Sequence, residues 1–139
     1  MSRKYVTRSS VDAARDLKYE DVHVPEWKDE TGAEWARVRG LTGKGRSIYL
    51  AGLVNMDSDG ERSLNLELSD LRIAALCLVD ENDVPLYSVD EIEALGAKDA
   101  NPVNRIVAAA QRLSAITSAD VGKAAENLDD TPSAASIST

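Results

Sequence analysis

The segment from residue 64 to residue 79 is the densest apolar stretch of the chain and constrains the fold most. Its apolar residues recur at steps of four, three, four and three, as Leu64, Leu68, Leu71, Ala75 and Leu78. This spacing is typical of one helix face. Leu66, Ile73 and Cys77 fall on a second face, so we expect neighbouring elements to cover the helix on more than one side. The alternating leucines at the start also permit a strand, so the helix is predicted over residues 68–79.

The residue composition indicates which side chains fill the core. The chain has 139 residues, with two Trp, four Tyr and no Phe. Because aromatic residues are scarce, alanine and aliphatic side chains must fill the interior, which favours helices. One Cys and one His exclude a disulfide framework and a metal site built from several Cys and His ligands. We expect Cys77 to be a small buried apolar residue.

Two strand patterns occur in the first third of the chain. Val22 and Val24 alternate with polar neighbours, and residues 34–39 form a second alternating run in which Trp35, Arg37 and Arg39 share one face. A polar, glycine-containing turn separates the two runs, so we predict a β-hairpin over residues 19–39. The lone histidine, His23, has no second candidate ligand or nucleophile in its neighbourhood, and we expect an exposed hairpin residue.

The remaining apolar patterns indicate helices, so the predicted class is α+β: a small N-terminal β-hairpin or sheet followed by a compact bundle of four to five short helices. The predicted helices span about residues 43–54, 68–79, 89–95, 102–116 and 119–128. We expect one domain over residues 10–128, a flexible N-terminus over 1–9, a polar loop over 55–63 and a disordered tail over 129–139, which is too small and polar to order itself.

Capping residues place the helix ends. The predicted N-terminal caps are Ser9 or Ser10 for a short first helix, Thr42, Ser88 and Asn101. Glu91 completes a capping box with Ser88, Pro102 is predicted to take the first helical position, and Gly96 is predicted to end its helix in the left-handed conformation. Among the core residues, we expect nearly full burial of Leu71, Leu78, Ile106 and Leu113.

Charge is divided unevenly along the chain. Residues 1–46 carry ten Lys or Arg against eight Asp or Glu, whereas residues 47–139 carry six against sixteen, a balance of −10. A body of that charge repels phosphate backbones, so we expect no nucleic-acid partner. No apolar run approaches the roughly 20 residues that a membrane span needs, and no apolar stretch follows the basic start as in a signal peptide. We therefore expect a soluble cytoplasmic protein without a membrane partner.

The sequence lacks the motifs that carry catalysis. Gly43-Lys44-Gly45 is no phosphate-binding loop, since the required glycine spacing and the following Ser or Thr are absent. Residues 57–60 lack the remaining ligands of a calcium loop. The carboxylates between residues 80 and 93 lie at turns and helix starts, where they serve as caps. We therefore predict a protein that is not an enzyme, with no catalytic, metal-binding or cofactor-binding residue.

Two runs in the hairpin region carry a resemblance to a known family. Residues 18–27, Lys-Tyr-Glu-Asp-Val-His-Val-Pro-Glu-Trp, and residues 36–43, Ala-Arg-Val-Arg-Gly-Leu-Thr-Gly, resemble tail assembly chaperones of long-tailed bacteriophages of actinobacteria. Further similar runs follow in the same order at residues 71–82, 90–96 and 109–117. The resemblance covers about residues 10–128.

The resemblance implies a non-catalytic role in virion assembly. Such chaperones bind the tape-measure protein, a long, largely helical and partly apolar chain, and keep it soluble while the tail tube polymerises around it. The tail tube protein is a further implied partner. The chaperones act in the host cytoplasm and leave before the virion is complete. Two alternatives stay open: a structural head–tail completion or minor tail protein, and an acidic inhibitor that mimics DNA, which the balance of −10 favours.

The C-terminal helices supply the predicted binding surface. The apolar residues there that exceed what the central helix can cover are Ile116, Val121, Ala124 and Leu128. Exposed apolar groups of this kind mark interaction surfaces, so we expect the tape-measure protein, or a second copy of the chain in a homo-oligomer, to dock on them. The alternative is that these residues complete the core.

Overall fold

The computed structural model describes residues 2–56, 59–64, 68–116 and 123. The elements in this part of the chain are α1 (Arg8–Ala13), β1 (Tyr19–His23), β2 (Trp35–Arg39), α2 (Gly43–Gly52), β3 (Val54–Met56), β4 (Arg62–Leu64), α3 (Ser69–Cys77), β5 (Leu78–Val79), α4 (Ile92–Gly96) and α5 (Ala100–Ser114). Short 3₁₀ turns lie at Pro25–Trp27 and Val89–Glu91. The predicted α+β class is confirmed, with a sheet near the N-terminus and helices around it.

Three antiparallel strands form the main sheet, in the order β1, β2, β5. β1 and β2 make the hairpin predicted over residues 19–39, with Tyr19 opposite Arg39 at one end. β5 pairs with the other edge of β2, where Val38 lies opposite Leu78. The short strand therefore makes β2 the centre of the sheet and leaves β1 at its edge.

The inner face of this sheet packs against α5. Alternation along the two hairpin strands turns every second side chain inward, and the buried ones are Val22, Val24, Ala36 and Val38. α5 contacts β1, β2 and α3. Its residues Ile106, Ala109 and Ala110 have no exposed surface. Two adjacent alanines keep α5 thin, so the helix lies close to both of its neighbours.

α3 is buried along its second predicted face, at Ile73 and Cys77, and at Ala75 of the first. Its buried residues are Ile73, Ala74, Ala75 and Cys77. Leu68, just before the helix, is 41% exposed and has a positive φ of 61°. The helix also ends at Cys77, so its predicted extension to Val79 is wrong. Leu78 and Val79 instead extend along the open edge of β2, where both side chains are buried and the backbone groups find strand partners.

Two of the four residues predicted to be nearly fully buried are so, and two are not. Leu78 and Ile106 are 1% and 0% exposed. Leu71 and Leu113 are half-buried and pack against the rim of the core. Leu113 lies against Gly40, directly after β2, and Leu71 Cδ1 lies against Gly96 of α4.

Two of the predicted helix starts agree with the structure. The Thr42 hydroxyl accepts a backbone N–H at the start of α2, and Ser88 and Glu91 form the predicted capping box. The prediction for Gly96 is wrong, because this glycine does not have a positive φ. A Cβ at Gly96 would lie 2.8 Å from Leu71 Cδ1, so the glycine allows α4 to approach α3.

Two other predicted caps are wrong, Ser9 or Ser10 for α1 and Asn101 for α5. Thr7 caps α1, with Ser10 as its box partner, so the helix begins inside the segment expected to be flexible. Asp99 caps α5, and its carboxylate accepts the Asn101 N–H at 3.0 Å. Pro102 is therefore the third residue of α5, a position where the N–H has no helical partner to lose.

The segment predicted as a polar loop over residues 55–63 contains strand pairing at its ends. β3 and β4 pair antiparallel, with Val54 opposite Leu64. The strand alternative that the leucine alternation permitted is therefore correct at Leu64. The predicted helix over 119–128, apart from Lys123, and the predicted tail over 129–139 lie outside the described residues.

Alanine substitutions at two glycines test the close approach of α5 to the sheet. A Cβ on Gly40 would lie 2.9 Å from the backbone oxygen of Leu113, whereas a Cβ on Gly43 would meet nothing within 4 Å. We predict that Gly40→Ala lowers the free energy of unfolding by about 1–3 kcal/mol through overpacking. We predict that the matched control Gly43→Ala raises it by about 0.4–1 kcal/mol, because alanine restricts the unfolded chain. Chemical denaturation measures both, and equal stability of the two variants would contradict this packing.

Candidate protein-binding surface

Cys77 and His23, the two side chains considered for a reactive role, contact other residues of the fold. Cys77 is fully buried, as predicted, with Sγ 3.9 Å from Ser114 Oγ. Burial raises the pKa of its thiol to about 11, so the thiol stays protonated at neutral pH. His23 is exposed, as predicted, and its ring stacks on Trp35 with 4.6 Å between centroids. Within the described ranges, no three His, Cys, Asp or Glu side chains gather as metal ligands would.

Several acidic side chains cap turns and helices. Asp80 accepts the N–H groups of Asn82 and Val84 at 2.7 and 3.0 Å, as predicted for the carboxylates of this region. A hydrogen bond from the Ser88 backbone N–H lowers the pKa of Glu91. Other carboxylates pair with arginines of α5, such as Glu20 with Arg112 at 2.6 Å. These acidic groups are thus used within the chain itself.

The most distinctive exposed surface is the side of the sheet that faces away from α5. Its residues are Tyr19, Asp21 and His23 of β1 and Trp35, Arg37 and Arg39 of β2, and we call them the outer face. They project outward because they alternate with the buried valines and alanine of the same strands. Trp35 is 62% exposed and Tyr19 is 39% exposed. The two aromatic side chains of the hairpin strands β1 and β2, apart from His23, are therefore exposed to solvent.

A network around one turn residue holds part of the outer face in place. The Arg37 guanidinium lies 4.2 Å from the centre of the Tyr19 ring, which is a cation–π distance. Asp83 lies in a turn and has a left-handed φ of 65°. Its carboxylate accepts a hydrogen bond from the Tyr19 hydroxyl at 2.6 Å and lies 3.2 Å from Arg37 Nη2. Arg39 donates to the Asp83 backbone oxygen at 3.1 Å. Asp83 thereby fixes the rotamers of three side chains before any partner binds.

The two ends of the outer face differ in openness. Residues 14–17 run past Tyr19, Arg37 and Asp83 and enclose with them a cavity of about 430 Å³. At the other end, Trp35 is 62% exposed and the His23 ring stacks beside it. Trp, Tyr and Arg are the residue types that contribute most to protein–protein binding energy. An exposed tryptophan beside ordered arginines is therefore a candidate contact for another protein.

A comparison with solved structures bears on this arrangement. The structure of the bacteriophage HK97 tail assembly chaperone superimposes on this chain with a TM-score of 0.51 and 19% sequence identity, covering 78% of this chain and 94% of the chaperone. This chain has a tail assembly chaperone-like fold. No protein-family model and no curated protein matches the sequence. The resemblance to actinobacterial phages in particular stays a prediction.

Of the binding surface predicted from the sequence, the structure describes only Ile116. Ile116 follows α5 directly, is half-buried and packs against the core. Its N–H donates to the Gln111 oxygen at 3.2 Å, and Ala115 between them is left-handed at φ 54°. Val121, Ala124 and Leu128 lie outside the described residues. Their role as a binding surface stays a prediction.

The outer face was only partly visible in the sequence. Alternation placed Trp35, Arg37 and Arg39 together, but no signal connected them with a function. Asp83 is 64 residues from Tyr19 in the chain, and no pattern links the two.

The part of the chain that the structure describes contains no helix both long and apolar enough to cross a bilayer.

The buried thiol gives a direct test of the core around α3. We predict that native Cys77 reacts with iodoacetamide at neutral pH at least about a hundredfold more slowly than in the urea-unfolded chain, since a pKa two units higher leaves a hundredfold less thiolate. The pKa is raised on folding from 9.0 to about 11, so this contribution to stability is complete below pH 9.0 and is lost as pH rises through about 11. Equal labelling rates in the folded and unfolded chain would contradict burial. Cys77→Ala should lack the alkaline loss.

Proposed function

We propose that this chain is a phage tail assembly chaperone that binds the tape-measure protein and keeps it soluble while the tail tube polymerises, without catalysing a reaction. The observation that carries the proposal is the likeness to the HK97 tail assembly chaperone, which extends over 94% of that protein. The order of the sequence runs at residues 18–27, 36–43 and 71–82 agrees with it. The proposed place of action is the host cytoplasm.

The uncovered side of the sheet supports a helical client. A sheet with apolar groups on one face is normally covered by a helix, and α5 covers the inner face in this way. The outer face has no helix packed on it in the described part of the chain, yet it presents Trp35 and Tyr19. An amphipathic helix of the tape-measure protein would complete a second layer by laying its apolar stripe across these rings.

The charge of the chain supports solubilisation of such a client. The net charge is −8, the sum of −10 over residues 47–139 and +2 over residues 1–46. Complexes that carry net charge of one sign repel each other, which limits aggregation while an apolar client is bound. The outer face itself carries Arg37 and Arg39. The tail tube protein is a second proposed partner.

The presence or absence of this chain in purified virions distinguishes an assembly chaperone from a structural protein of the particle. An assembly chaperone is expected to be absent from purified particles, whereas a head–tail completion or minor tail protein is present in a fixed number per virion. Quantitative mass spectrometry of purified phage distinguishes them. We expect none of this chain in the particle, and a stoichiometric amount there would overturn the proposal.

The contact with the tape-measure protein can be tested by co-expression. We predict that Trp35→Ser weakens binding by about 2 kcal/mol or more, roughly thirtyfold, because a central tryptophan is removed from the contact. The soluble yield of the tape-measure protein should fall accordingly. Ile48→Ser on α2 is the matched control, since Ile48 is an apolar residue that is 40% exposed and outside the outer face.

The same experiment discriminates between the two candidate surfaces. A variant with Val121→Ser and Leu128→Ser tests the C-terminal surface that the sequence predicts. Loss of solubilisation by that variant, with Trp35→Ser behaving as the unmodified chain, would move the contact to the C-terminus. Thermal melting of each variant establishes that the fold is retained.

A further inference from the structure

A surface pocket away from the outer face is built by three separate segments of the chain. Its volume is about 380 Å³, and it is lined by Glu26, Trp27, Lys28, Tyr87 and Lys98. The first three come from the 3₁₀ turn after β1 and the residue that follows it, Tyr87 lies between β5 and α4, and Lys98 lies between α4 and α5. A volume of this size is at the lower end of the range of ligand-binding pockets.

Two aromatic side chains give the pocket its apolar surface. Trp27 and Tyr87 are half-buried and pack against the hydrophobic core, so part of each ring is held and part is accessible. The Trp27 N–H donates to the Val24 oxygen at 3.0 Å, and the Lys28 N–H donates to the Pro25 oxygen at 3.2 Å. The turn is therefore in place before a ligand binds. Rings of this kind contact an apolar group at a low cost in side-chain entropy.

The pocket has two ammonium groups and one carboxylate, and the carboxylate is already bound. Glu26 accepts a hydrogen bond from Arg105 Nη2. Lys28 Nζ lies 3.9 Å from the nearest oxygen of Glu34, and 57% of the lysine side chain is exposed, so this ion pair is loose. Lys98 makes no ion pair among the described residues. The pocket is thus locally positive in a chain whose net charge is −8.

The acidic residues that directly follow the two lysines bond within their own turns. Asp29 accepts the Thr31 N–H at 2.9 Å, and Asp99 accepts the Asn101 N–H at 3.0 Å. These bonds direct both carboxylates to the backbone that follows them. The ammonium groups of the pocket are left for a negative group from another molecule.

We propose that this pocket binds a carboxylate that adjoins an apolar group. The carboxylate lies between Lys28 and Lys98, where the ammonium groups supply charge-assisted hydrogen bonds. The apolar group lies against Trp27 and Tyr87, whose N–H and O–H are further donors. An apolar C-terminal residue of another protein has this chemistry, and so has an acidic side chain beside a leucine. This inference does not depend on the proposed function.

The test uses the fluorescence of Trp27. The chain has two Trp, so Trp35→Phe leaves Trp27 as the single reporter and changes a residue outside the pocket. We expect N-acetylleucine, which carries both groups, to change the emission with saturation and a half-maximum at about 1–10 mM, the range for a ligand of this size. N-acetylleucinamide lacks the charge and acetate lacks the apolar group, so each should bind at least about tenfold more weakly. This comparison needs no change in the pocket itself.

Lysine variants test the position of the carboxylate. In the same background, Lys28→Gln combined with Lys98→Gln should weaken the binding of N-acetylleucine by about tenfold or more. Thermal melting should not change, because both side chains are exposed. Lys44→Gln is the matched control and should bind normally, since Lys44 is an exposed lysine on α2 outside the pocket.

The source of the carboxylate is distinguished by comparing N-acetylleucine, which represents a chain end, with N-acetyl-Leu-Glu-amide, which represents an acidic side chain. Saturable binding of either supports the proposal, and the tighter ligand identifies the source. The proposal would be overturned by the absence of a saturable change with both ligands or by equal binding of N-acetylleucinamide. Inorganic phosphate that binds as tightly as N-acetylleucine, or unchanged binding by the double lysine variant, would also overturn it.

Discussion

The packing of α5 against the inner face of the sheet is the contact on which the rest of the structure depends. Ile106, Ala109 and Ala110 have no exposed surface, and the same helix contacts α3 and both hairpin strands. Because the protein has no Phe and only two Trp, small and aliphatic side chains fill most of the interior, with Tyr49 as a buried aromatic residue. Such a core is stable only when backbones approach closely, which is why Gly40 lies against Leu113 and Gly96 against Leu71.

This packing also determines which surfaces are left for other proteins. With α5 on one side of a three-stranded sheet, the other side and the outer edge of β1 stay open in the described part of the chain. The outer face is ordered by Asp83 through its contacts with Tyr19, Arg37 and Arg39. The edge is bordered by Arg105 and Arg112 from α5.

Many acidic side chains of this protein have partners within the chain itself. Many carboxylates that the composition alone presents as free negative charge serve as caps or pair with arginines, as Asp99 and Glu20 do. This use argues against a DNA mimic, which needs rows of free carboxylates at phosphate-like spacing. The net charge of the chain nevertheless stays at −8.

The sequence by itself determined the elements whose signals are local. The hairpin alternation, the apolar stripe of α5, the Thr42 cap and the Ser88–Glu91 box each depend on residues a few positions apart, and each is present in the structure. The tertiary structure decided what depends on distant partners. Leu78 and Val79 became a strand because β2 offered an unpaired edge, and the buried face of α3 was set by α5. The outer face depends on the contact between Asp83 and Tyr19, 64 residues apart, which no local spacing encodes.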